Sequence, residues 1–174
     1  MAKNKRQKQS RSQQLKNKAR KTLNKKLNKK KQNYVVDTSA IVNKFLQRLI
    51  EQGLTGKIII PDAVIAELEN LANKGNEAGF IGLDEVANLH NLKKRFKIFI
   101  QFQGPRPDIK HIKYARSGEI DALIRNLAFK NRATLITADL IQAKSAQAYG
   151  IEVLFLRPKI IKPKKRRFLD IFTR

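Results

Sequence analysis

The chain has 174 residues, 41% of them hydrophobic, and its 38 Lys and Arg against 14 Asp and Glu leave a net charge of +24. The length suits one domain with tails, and the charge points to a polyanionic partner, either nucleic acid or an anionic membrane surface. The absence of Cys excludes a disulfide scaffold, a Cys-ligated zinc site and thiol catalysis, two histidines (His90 and His111) exclude a His-rich metal site, and no apolar run approaches the ~18 residues of a membrane span.

Residues 1–33 carry 14 Lys or Arg and no acid. They cannot bury enough apolar surface to offset their ordering entropy, so they read as a basic tail that is disordered or ordered only by RNA. Leu15, Ala19, Leu23 and Leu27 give it one thin apolar stripe; the lack of Trp and Phe counts against a membrane-surface helix. With no apolar segment behind the basic start, a secretory signal is not expected, and the expected location is the cytoplasm. Residues 34–156, with 16 basic and 13 acidic side chains, form an ordinary globular domain.

Within that domain Tyr34-Val35-Val36 predicts a strand ending at Asp37. A helix follows, with Ile41, Val42, Phe45, Leu46, Leu49 and Ile50 in helical period up to Gly53. Lys57–Ile60 predicts a second strand stopped by Pro61. Asp62 is the expected cap of a helix burying Val64, Ile65, Leu68 and Leu71. A loop is expected over 75–82, a helix over 83–96 and a strand over 98–102. A Pro-containing basic loop over 104–116 leads to Ser117, which opens a helix through Ile120, Leu123, Ile124, Leu127 and Ala128. A strand over 133–136, a helix over 138–149 and a strand over 151–155 complete the domain. Strands alternating with helices imply a parallel central sheet covered on both faces, a three-layer α/β/α sandwich. Residues 157–174 are again basic, with Lys164-Lys165-Arg166-Arg167 before the apolar Phe168, Leu169, Ile171 and Phe172.

Ligands in such folds gather at the carboxyl ends of the strands. Asp37 follows the first strand there, and Asp139 follows Leu135-Ile136 with two residues between. Glu67 lies six residues after Pro61, and helical side chains lean toward the N-terminus, so it can reach back to the same edge. Asp121 sits in the first turn of its helix beside Glu119. Four acids without His or Cys form an oxygen-only set suited to Mg²⁺ or Mn²⁺. Taken singly, each has a plainer reading. Asp121 and Asp139 suit helix caps, Asp37 a turn, and Glu67 a solvated helix face like Glu69. Only their joint placement favours a site. Arg106, Lys110, Lys113 and Arg116, with His111 and Tyr114, share the loop before Asp121 and are candidates for clamping RNA. A solvated loop fits them as well. His90 falls in a helix between Leu89 and Leu92 and is expected to be structural, and Lys93-Lys94-Arg95 suits a solvated helix end.

Val36-Asp37-Thr38-Ser39, Ile60 to Leu68 (IPDAVIAEL), Gly118 to Ile124 (GEIDALI) and Leu135-Ile136-Thr137-Ala138-Asp139 resemble, in order, the successive motifs of the PIN-domain nucleases. The resemblance covers about residues 34–156 and is closest to the PIN part of archaeal PIN-plus-ATPase proteins. Without a Gly-x-x-x-x-Gly-Lys-[Ser/Thr] phosphate loop, the ATPase does not carry over. The resemblance implies a Mg²⁺- or Mn²⁺-dependent endoribonuclease that prefers single strands and leaves 5′-phosphate and 3′-hydroxyl ends. It assigns the metal to Asp37, Glu67, Asp121 and Asp139, with Ser39 and Thr137 as hydroxyl support. Leu140-Ile141-Gln142 lacks the extra acid that some members carry, for which Glu119 is a partial substitute. The basic tails imply a structured RNA partner such as ribosomal or precursor RNA, and the family often forms homodimers. Two further readings stand beside this one: a toxin ribonuclease of a toxin–antitoxin pair, and a non-catalytic PIN-fold protein of RNA binding or ribosome assembly.

Overall fold

A computed structural model describes residues 32–108, 110, 112 and 118–157. Residues 1–31 and 158–174 of the two tails lie outside these residues, as do His111, Lys113, Tyr114, Arg116 and Ser117. The chain order is β1 (Asn33–Val36), α1 (Thr38–Val42), α2 (Phe45–Glu51), β2 (Gly56–Pro61), α3 (Asp62–Asn73), α4 (Glu77–Arg95), β3 (Ile98–Gln103), α5 (Glu119–Lys130), β4 (Thr134–Thr137), α6 (Leu140–Ala148) and β5 (Val153–Phe155). The strands make one five-stranded sheet in the order β3-β2-β1-β4-β5, every pair parallel. Right-handed crossovers put the connections that step outward from β1 to β3 on one face and those from β4 to β5 on the other. In keeping with this, α1 to α4 pack among themselves and α5 packs against α6, while α5 also meets α3, the helix that carries Glu67. The expected parallel α/β architecture is the observed one.

Near-continuous β-branched and aliphatic runs suit strands buried on both faces. Val35, Val36, Ile58, Ile59, Ile60, Leu135 and Ile136 are fully buried in the three inner strands. Tyr34 is buried with them, its hydroxyl donating to Gln32 at 2.5 Å, and burial pushes its phenol up to about 12. The chain reverses its outward direction between β1 and β4. The switch point therefore falls where Val36 pairs with Ile136 and Asp37 N donates to the Ile136 carbonyl at 2.9 Å.

Three sequence expectations change. The single helix up to Gly53 is two helices, because Lys44 takes the left-handed conformation at φ 55° while the Asn43 side chain bonds the Ser39 carbonyl at 2.7 Å. A short polar side chain competing for a backbone carbonyl is the local reason. Asp62 is the first helical residue rather than the cap, a position taken by Pro61. The loop expected over 75–82 is mostly helix: Asn76 caps α4 by accepting from Ala78 N at 3.0 Å, and Gly79 and Gly82 lie within it. A Cβ on Gly79 would sit 2.2 Å from Ala72 N, and one on Gly82 would sit 2.3 Å from Leu68 Cδ2. These glycines let α3 and α4 approach closely; they do not break the helix.

Candidate active site at the sheet switch point

The carboxyl ends of β1 and β4 lie side by side, so whatever follows each strand meets its counterpart. Asp37 leaves β1 at 4% exposure. Its Oδ2 accepts from Ser39 Oγ at 2.5 Å and from Thr137 Oγ1 at 2.7 Å. The two hydroxyls are 3.2 Å apart, and they also accept backbone N–H groups, Ser39 from Ala138 at 2.9 Å and Thr137 from Asp139 at 3.0 Å. Asp37 is thereby held in one orientation and tied to the turn that carries Asp139. Burial pushes its carboxyl above the usual range; the Ser39 and Thr137 hydrogen bonds oppose this, and the Asp139 charge adds to it.

Glu67, half-buried on the second turn of α3, does reach back to this edge: Thr38 Oγ1 donates to its Oε2 at 2.5 Å. Burial raises its carboxyl, the Thr38 bond lowers it, and the charges of Asp37 and Asp121 raise it. Asp121, in the first turn of α5, is raised by burial and by Asp37 and Asp139, while Arg125 one turn on opposes. Asp139 is exposed and caps α6, accepting from Ile141 N at 2.6 Å and Gln142 N at 3.0 Å. The capping role open to Asp139 is thus realised together with its place at the shared edge.

Asp37, Glu67 and Asp121 are each raised in part by the charge of other acids in this group. Even so, among the described residues no three of His, Cys, Asp and Glu are close enough to enclose one ion. They form an open basin rather than a closed coordination shell. The donor set is hard oxygen throughout, and Mg²⁺ commonly keeps several waters while taking only one or two carboxylates. The residues present therefore fit a hydrated divalent cation.

Of the other sequence candidates, Glu119 is exposed and lines the same cleft as Asp121. Arg106 forms an exposed ion pair with Glu69, and Lys110 is exposed. His90 is on the solvent face of α4, not in the core, because Leu89 and Leu92 take the buried stripe.

Sequence reading overlooked three residues. Arg125, at i+4 from Asp121 and so on the same helix face, donates to Gln142 Oε1 at 3.3 Å and stacks over Tyr149 with 5.0 Å to the ring centre. Gln142, 1% exposed, donates to the Asp121 carbonyl at 3.1 Å, joining α6 to α5 beside the acids. Glu85, buried in α4, accepts from Gln47 N at 3.1 Å at the start of α2. The i,i+4 spacing of Asp121 and Arg125 was visible in the sequence; the contacts of Gln142 and Glu85 with distant elements were not.

This fold, with its carboxylates at the switch point, is that of the PIN domains. The PIN domain family model matches residues 34–148, and the chain belongs to that family. It is 42% identical over 123 residues to an uncharacterized KH and PIN-domain containing protein of Methanocaldococcus jannaschii, covering 70% of this chain and 19% of that protein. It is 25% identical over 122 residues to the Holliday junction branch migration ATPase of Sulfolobus acidocaldarius, covering 70% of this chain and 22% of the ATPase. The chain thus spans about a fifth of these relatives. Among solved structures, a domain of a functionally unknown M. jannaschii protein superimposes with a TM-score of 0.69 at 40% identity, covering 72% of this chain and 91% of that one. No helix among the described residues is long and apolar enough to cross a membrane.

Proposed function

We propose that this protein is a Mg²⁺- or Mn²⁺-dependent endoribonuclease whose basic tails hold a structured RNA such as ribosomal or precursor RNA. The observation that carries this reading is the gathering of Asp37, Glu67, Asp121 and Asp139 about the switch-point edge, where the charges of neighbouring acids add to burial in raising the carboxyls of Asp37, Glu67 and Asp121. Asp37 and Asp139 would hold the cation, with Glu67 and Asp121 completing its surroundings. When bound, the cation supplies Lewis-acid stabilisation of the phosphate and lowers the pKa of attacking water. The chain's own contribution is orientation. Ser39 and Thr137 fix the Asp37 carboxylate, and Thr38 fixes Glu67, so neither rotates away when the charge about it changes.

Purified protein is expected to cleave single-stranded RNA with Mn²⁺ or Mg²⁺, to be inert in EDTA, and to lose cleavage in Asp37→Asn. A single-stranded DNA arm tests the choice of RNA. Equal activity in EDTA, or an active Asp37→Asn protein, sinks the proposal. The second reading, a non-catalytic PIN-fold RNA-binding protein, is favoured by one observation, the lack of three carboxylates close enough to enclose an ion. It predicts RNA binding without metal-dependent cleavage in the same assay.

A further inference from the structure

Beside the acids, between α5 and α6, lies a cleft of about 410 Å³ lined by Glu119, Asp121, Arg125, Ile141, Gln142 and Ser145, among others. Its volume is that of a small-ligand site. Its lining is unusual for a neighbourhood of four carboxylates because it holds a guanidinium. Among the described residues, Arg125 Nη1 makes only a long bond to Gln142, and its Nε is buried with no hydrogen-bond partner. Nε lies too deep for a ligand to meet, so what a ligand in the cleft would complete is the Nη side of the guanidinium, which has only that long bond among the described residues. The planar fork matches phosphate oxygens. Tyr149 backs it from one side, limiting how far it swings. Ile141 at the rim is 79% exposed despite being apolar, which suits contact with a base or sugar more than with water.

We infer that this cleft is a nucleotide subsite, in which Arg125 binds the phosphodiester next to the one held over Asp37 and Asp139, and Ile141 meets the attached nucleoside. The inference rests on the nuclease reading for what occupies the carboxylates, and it adds which neighbouring part of the strand the protein grips. Position supports it. Gln142 N is bonded to Asp139, and the Gln142 side chain to the Asp121 backbone and to Arg125, so the cleft and the carboxylate edge share one rigid connection. Charge supports it too. A polyanion approaching four acids needs a fixed cation beside them, and Arg125 lies one helical turn from Asp121.

The test uses full-length protein and a fluorescent four-nucleotide oligouridylate, in EDTA and enough salt to weaken tail binding. Each linkage in turn is made a neutral methylphosphonate. Arg125→Met is expected to weaken binding of the all-phosphate strand by roughly tenfold or more, the scale of a charge-assisted hydrogen bond. One methylphosphonate position should weaken wild type by a similar factor and leave Arg125→Met unaffected. Arg125→Lys, which keeps the charge without the fork, should fall between and serves if the Met variant does not fold. Equal affinity of wild type and both variants, or methylphosphonate losses that are the same in all three proteins at every position, would overturn the inference. Position-specific coupling without metal-dependent cleavage would instead overturn the nuclease reading and leave the phosphate site standing.

Discussion

Asp37 combines deep burial with a nearby like charge, and the sign of its pH dependence follows. Burial raises the carboxyls of Asp37, Glu67 and Asp121, so the folded protein binds protons there more tightly than the unfolded chain. The stability these groups contribute is then fully present below ordinary carboxylate values and is lost as pH rises through their raised values. In EDTA, Asp37→Asn, free of that loss, should gain on wild type in melting temperature as pH rises through this window, with the gap constant above it. Saturating Mg²⁺ or Mn²⁺ should stabilise wild type by about 2.7 kcal/mol at a hundredfold excess over Kd, and the variant much less. Coincident melts in all conditions would mean that the carboxylates do not act together. Glu85 behaves differently because its work is structural. It meets the backbone at the start of α2, and burial, the largest influence on it, raises its carboxyl. Glu85→Ala should cost about 0.5–2 kcal/mol, the range for a lost cap, measured by chemical denaturation. Catalysis with Mn²⁺ below the melting range should be unchanged.

At the level of elements, the contact between α3 and α4 depends on side chains that are missing. Ala in place of Gly79 would gain roughly 1 kcal/mol of helix propensity. Its Cβ, however, would press into the backbone of Ala72 and Leu68, where no flexible side chain can yield. Overpacking of this kind costs roughly 1–3 kcal/mol, so Gly79→Ala should lower the denaturation midpoint. A rise would show that the helices separate freely. Because α3 carries Glu67, separation should also weaken metal-induced stabilisation. Gly75, with φ 72° and open space around it, should instead accept Asn with little change, since Asn tolerates the left-handed region.

For the whole molecule, the described domain accounts for little of the charge. Residues 1–33 carry fourteen basic side chains and no acid, and phosphate neutralisation by such a segment releases counterions. Binding to single-stranded RNA should therefore weaken with salt at a slope of about −0.7 per contacted phosphate. Deleting residues 1–31, which leaves β1 intact, should flatten that slope and weaken unrelated RNAs to a similar extent. An unchanged slope in a salt titration would show that the tail does not touch RNA.

By itself the sequence determined the alternation of strands and helices, the parallel sheet, and the positions of the four acids just after β1 and β4, on the second turn of α3 and in the first turn of α5. Those follow from periodicity and from where a chain must turn, both local properties. It also determined the charge division, which is only counting. It misread the segment over 75–82, because Gly79 and Gly82 signal a loop locally while their meaning lies in Ala72 and Leu68 on another helix. It also placed one helix where Lys44 breaks the run into two. Only the tertiary structure decided that Asp37 is locked by Ser39 and Thr137, residues 98 positions apart, that Thr38 holds Glu67, and that Arg125 and Gln142 close a cleft beside them. These contacts join β1, α3, α5 and α6 across the switch point, and no local pattern encodes a distance between segments that meet only when the sheet is assembled.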